Sequence, residues 1–187
     1  MKDTAGLFRW REIVRSMDAA GRSEQWVEDQ LGRLTDEYDS SSVHQTSWAV
    51  PAERYERIAG VAADERAAAG VRVTNEDSEV LLVQDRRDEW AAPRGRVEPD
   101  ESLETGAIRN VREATGVECA IEDVERISIV GVGDETDRDR DRSSIYCLVV
   151  LFAGSCGPDE RVDPAETPVR WRRSRPTDGL DPGVLAI

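Results

Sequence analysis

The run from Gly95 to Val117, GRVEPDESLETGAIRNVREATGV, constrains this 187-residue chain more than any other stretch. A turn-prone Pro93-Arg94-Gly95 leads into Glu98, Pro99, Asp100 and Glu101, and a helical pattern then continues until Gly116. At about 100° per residue, Leu103, Ala107, Val111 and Ala114 form one narrow apolar stripe, which predicts a core-facing side. Ser102, Gly106, Arg109, Asn110 and Glu113 gather on the adjoining face, where two small residues leave room beside Glu113. An apolar back, an acidic first turn and a carboxylate–arginine front suit a metal or phosphate site. Composition alone would fit many surface helices equally well. The spacing separates the two.

That spacing resembles the Nudix box, the signature of the Nudix hydrolases. Its pattern is a glycine, five residues, Glu, seven residues, Arg-Glu, an aliphatic residue, any residue, Glu-Glu, any residue, a glycine and an aliphatic residue; Gly95, Glu101, Arg109, Val111, Glu113, Gly116 and Val117 stand in register with it. Three positions depart. Asn110 stands where the family has the Glu after Arg, and Ala114 replaces the second residue of the Glu-Glu pair. Arg94 replaces the glycine that usually precedes Gly95, at a place where the loop backbone is expected to favour glycine.

The resemblance implies an α+β Nudix fold, a mixed sheet between helices. It also implies cleavage of a nucleoside diphosphate linked to another group, with Mg²⁺ or Mn²⁺ bridging phosphate oxygens. Hard divalent cations want several oxygen ligands and a site that offsets their charge. Positions 110, 113 and 114 lie within roughly 100° of one another on a helix, so the family's three glutamates form one cluster. This chain keeps one of them, Glu113.

For single residues, the resemblance makes Glu113 a catalytic metal ligand. Arg109 orients the carboxylates through a salt bridge to Glu101 or Glu113, and Glu101 holds the loop to the helix start, where negative charge is favoured. The expected metal set is Glu113, the amide oxygen of Asn110, Glu98 from the loop, and the backbone carbonyl of Arg94. Asp134, Glu135 and Glu166 are candidates for relocated ligands. Two functions stay open. One is a metal-dependent pyrophosphohydrolase in which water attacks phosphorus. The other is a Nudix-fold module, impaired in catalysis, that holds a nucleotide for regulation or assembly, since neither Asn110 nor Ala114 supplies charge.

The chain divides into a helical extension, residues 1–42, and a Nudix domain, residues 43–187. Leu7, Trp10, Ile13, Val14 and Met17 predict one helix, and Trp26, Val27, Leu31 and Leu34 a second; these stripes can pack on each other, on the main domain, or on a second copy in a homodimer. His44, the one histidine, falls in an extended segment over residues 43–50 with no catalytic partner nearby. Pro51 predicts a helix start, with a helix running to Ala69 and stopping at Gly70. Strands are expected at Val71–Thr74, Val80–Val83, Glu118–Ile121, Ile127–Val132, Ser144–Ala153 and Glu166–Trp171. The strand–turn–strand before Trp90 and Pro93 is also how Nudix domains commonly begin. Between the fourth and fifth of these strands, residues 133–142 alternate in charge, as a solvated hairpin tip or a substrate loop would. The tail after Ser174 has turn composition.

Composition bears on partners. With 39 acidic against 25 basic residues the formal charge is −14, which offers no basic footprint for nucleic acid. Lys2 is the one lysine, a balance that resembles the proteins of salt-loving archaea and also fits any acidic protein from a GC-rich genome. Cys119, Cys147 and Cys156 lack metal-ligand spacing and cannot all pair, which fits a reduced, cytoplasmic protein. No apolar run approaches the roughly 20 residues that span a bilayer, so no membrane partner is expected.

Overall fold

The computed structural model describes residues 19–39, 42–61, 67–84, 89–98, 100–136, 144–158, 160–163 and 168–173. The helix expected around Leu7 to Met17, residues 137–142 of the charged segment, Glu166 and the tail from Ser174 lie outside them.

The centre is β2 (Ala67–Thr74), buried along all but its last residue. On one edge it runs parallel to β7 (Ile145–Ser155), and on the other it pairs antiparallel with β5 (Arg94–Arg96) and with β3 (Val80–Gln84). β6 (Ala120–Asp134) lies antiparallel to β7, and β1 (Ser42–Val50) runs parallel to β6 as the outer strand. β3 also pairs with β4 (Trp90–Ala91) and β8 (Val169–Arg172), completing a mixed eight-stranded sheet. Helices cover both faces. Val27 and Leu34 of α1 (Ala19–Glu37) share one core with Leu103, Ala107 and Val111 of α3 (Leu103–Thr115). Ile58 of α2 (Ala52–Ala59) joins a second core on the opposite face with Val50, Ala68 and Val130. The architecture is the expected α+β sandwich, with α1 as part of its cladding.

Two expectations need correction. The helix from Pro51 does not reach Ala69: it ends at Ala59 with Gly60 as its cap, and Ala67–Thr74 is the central strand. Alanine favours helix in isolation, but tertiary packing overrides that preference. Here Ala67 and Ala69 enter one core and Ala68 the other. Close approach explains the small residues. A Cβ on Gly70 would lie 2.3 Å from the Pro93 carbonyl oxygen and 2.6 Å from Arg94 Cβ. The strands expected around residues 118–121 and 127–132 are a single strand, β6, with register shifts at Ile121/Asp123 and Val124/Arg126. Such bulges break the alternation of inward and outward residues, so one strand reads as two.

His44 stands exposed on β1. Among the described residues no helix is long and apolar enough to cross a membrane.

Candidate functional site around Arg109

The site forms where β5 and the following loop meet α3. Ser102 caps the helix: its extended backbone lets Oγ accept the Thr105 N–H at 3.1 Å. At the other end Gly116 turns left-handed, φ 74°, a conformation that glycine enters without steric cost. Thirteen helical residues between these caps fix the front face.

Arg109 organises that face. Its Nε and one terminal nitrogen donate to the two oxygens of Glu101 at 3.0 and 2.9 Å. The same terminal nitrogen reaches the Arg96 carbonyl at 3.0 Å, and the other donates to Asn110 Oδ1 and Glu113 Oε2, both at 3.2 Å. A guanidinium has five N–H donors, and all five are engaged. The hydrogen bond from Arg109 holds the Glu101 carboxyl below the ordinary carboxylate range, against the opposing effect of burial and with help from the Glu98 N–H. The same bond to Glu101 raises the Arg109 pKa. Glu101 thus ties α3 to the loop that follows β5: it accepts from Arg109 on the helix and from the Glu98 N–H at 3.0 Å in the loop.

Asn110 is buried, 8% exposed. Its amide nitrogen donates to the carbonyls of Ala69 on β2 and Arg96 on β5, at 3.0 and 3.1 Å, and so ties α3 to two strands. A carboxylate in this place would set negative oxygens against those carbonyls and remove the amide donor from both, leaving the Arg96 carbonyl with Arg109 alone among these side chains. Gly95 makes the room, since a Cβ there would lie 2.7 Å from Asn110 Oδ1. The box glycine therefore serves space; among the described residues only Gly116 is a positive-φ glycine. The expectation that Arg94 occupies a glycine-favouring backbone is also corrected. Arg94 lies in β5 opposite Gly70, and positive φ outside glycine occurs, among the described residues, only at Ser78 and Asp100.

The structure gathers Glu101, Arg109, Asn110 and Glu113 into one network. Glu113 is 60% exposed, with one oxygen on Arg109. Glu98 joins through its backbone while its side chain is exposed. Arg94 precedes by two residues the Arg96 carbonyl on which Arg109 and Asn110 converge. Ala114 is half-buried, and Gly106, Asn110 and Thr115 are buried on α3 instead. Among the described residues no group of three or more His, Cys, Asp or Glu is placed to hold a metal ion. Sequence reasoning missed the Ala69 and Arg96 carbonyls and the left-handed Asp100, φ 66°. Backbone acceptors leave no mark in a motif. Asp100 did leave a weak one, because aspartate tolerates that conformation better than most residues.

Residues 64–174 match the family model described as NUDIX domain. A Caenorhabditis elegans protein provisionally named nudix hydrolase 1 is 34% identical over 104 residues, 54% of this chain and 27% of that protein. A Bacillus subtilis (strain 168) protein provisionally named 8-oxo-dGTP diphosphatase is 46% identical over 53 residues, 27% of this chain and 35% of that protein. The chain thus spans about a third or less of the length of these relatives. A crystal structure of a C. elegans Ap4A hydrolase binary complex overlaps with a TM-score of 0.40 at 20% identity, covering 56% of this chain and 78% of that one.

Proposed function

The chain belongs to the Nudix family, and from that premise we propose that it hydrolyses a nucleoside diphosphate linked to another group. The observation that carries this reading is the saturated Arg109, which holds Glu101 and Glu113 at their box positions. In the proposed reaction a water oxygen bonds to phosphorus and gives its proton to solvent, the anhydride P–O bond breaks, and the departing phosphate keeps the electron pair. Mg²⁺ usually takes one or two carboxylates plus substrate phosphates and waters. Glu113 supplies one exposed carboxylate, so the residues present fit an ion that arrives with the phosphates rather than one caged by protein. When bound, Mg²⁺ or Mn²⁺ would supply Lewis-acid polarisation of a phosphoryl oxygen.

The chain's own residues do the positioning. Glu113, exposed and held by Arg109 through Oε2, would be the first ligand to such an ion, with Glu98 and the Arg94 carbonyl as the loop's contribution. Asn110 takes a different part from the metal ligand expected of it. Its amide holds β2, β5 and α3 together, and its oxygen faces Arg109. We place the activity in the cytoplasm, since Cys119, Cys147 and Cys156 are held as thiols rather than disulfides.

A specific observation favours a second reading, a nucleotide-binding module impaired in catalysis. Two of the three box carboxylates are replaced, and one replacement, Asn110, is committed to structural hydrogen bonds. One experiment separates the two: release of nucleoside monophosphate or phosphate from a panel of nucleoside diphosphate derivatives with Mg²⁺ or Mn²⁺. The hydrolase gives metal-dependent turnover that Glu113→Gln abolishes. Folded protein that binds nucleotide and turns over none of the panel is the module.

A further inference from the structure

A chain of net charge −14 repels phosphates at long range, so an anionic ligand needs local cations that carboxylates have not already neutralised. Arg109 is not one, because its five donors are engaged. Arg33 holds Glu104 at 2.9 Å, and Arg72 holds Glu125 at 2.7 Å. The strand β8 is different.

Arg170 pairs across the ladder with Leu82 of β3, Arg172 with Val80, and Trp90 of β4 with Gln84. Residues two apart on a strand share a face, so Arg170, Arg172 and Trp90 stand on the same side of this part of the sheet. The Arg170 guanidinium carbon lies 3.5 Å from the centre of the Trp90 ring, and its buried Nε has no hydrogen-bond partner. Burial lowers the Arg170 pKa, and the neighbouring Arg172 charge lowers it further. Among the described residues neither arginine carries a carboxylate, although the chain has 39 acidic residues. Arg173, the next residue, does have one, Glu79 at 3.7 Å. Two like charges on one face of an ordered strand, without a carboxylate among the described residues, are an electrostatic conflict, and an arriving anion resolves it.

We propose that Arg170, stacked on Trp90, and Arg172 form a subsite for a phosphate group. A guanidinium is a planar fork whose donors match phosphate oxygens, and stacking on an aromatic ring fixes its plane before the ligand arrives. The subsite lies near the box loop: Trp90 and Arg94 are four residues apart, at most about 14 Å along the chain. That the phosphate belongs to a nucleotide rests on the function proposed above; the anion binding does not.

The test is isothermal titration of the full chain at low salt with divalent ions chelated, using inorganic phosphate, ADP and adenosine as separate titrants. Phosphate and ADP are expected to bind, and adenosine is not. Arg170→Gln and Arg172→Gln should each weaken phosphate and ADP by about tenfold, a loss of roughly 1.4 kcal/mol. Arg173→Gln should leave both unchanged, and thermal melts should show every variant folded. Phosphate binding alone, without a gain for ADP, would make the site one for free phosphate. The proposal is overturned if the native chain binds neither, if adenosine binds as well as ADP, or if Arg173→Gln weakens binding as much as Arg170→Gln. Phosphate binding that persists without turnover of any substrate would sink the hydrolase and keep the subsite. Turnover with binding and KM untouched by Arg170→Gln would do the reverse.

Discussion

Arg109 and Arg170 are the same residue type in one acidic chain, and the molecule treats them oppositely. Arg109 meets two carboxylates, an amide oxygen and a backbone carbonyl, with every donor engaged. Arg170 meets an indole face and a like charge, with its Nε unpartnered. The first arrangement positions other groups and has no donor left for a ligand. The second is ordered and unneutralised, which is the condition under which a cation can still select an anion. Position in a family motif does not by itself identify the arginine that touches substrate.

If Arg109 is the structural partner in this contrast, its removal should be the most damaging change. Arg109→Ala leaves the largely buried Glu101 carboxylate without its cation and should destabilise the fold by about 3 kcal/mol. Denaturant unfolding would measure it, and Arg109→Lys should recover little, because an ammonium cannot reproduce the two-pronged contact with Glu101. The next largest effect is at Glu101, whose side chain is 13% exposed. Glu101→Gln should cost about 2 kcal/mol at neutral pH. Because the folded-state pKa of Glu101 lies below its ordinary value of 4.5, its contribution is present above that pH and fades as pH falls through the lowered value. The stability gap between native chain and variant should therefore be constant from neutral pH down to about that point and narrow below it. The smallest effect is steric. Gly95→Ala sets a methyl against Asn110 Oδ1 and should cost roughly 1 kcal/mol. It would loosen α3 from β5 without touching a charge, which separates packing from electrostatics at this hub.

Much of the hub was legible in the sequence, because its members belong to one helix and the loop that enters it. Fixed spacing puts Glu101, Arg109 and Glu113 within reach of one another, and Gly116 marks where the helix stops. Asn110 was harder. Its wheel position is on the front face with Arg109 and Glu113, but whether it opens to solvent depends on carbonyls contributed by Ala69 and Arg96, which no side-chain pattern reveals. The alanine run of β2 misled for a related reason, since small residues serve a crowded strand as well as a helix. The Arg170–Trp90 contact was out of reach, because it depends on two strands pairing with opposite edges of β3, a register set by the whole sheet.

The most direct test sets the two arginines side by side in one pair of measurements, thermal melting and metal-free ADP titration of Arg109→Gln and Arg170→Gln. The predicted result is a double dissociation. Arg109→Gln melts well below the native chain yet binds ADP while folded; Arg170→Gln melts with the native chain and loses about tenfold in affinity. An Arg170→Gln variant that melts as early as Arg109→Gln, or that keeps native affinity, would contradict the distinction between a positioning arginine and a recognising one.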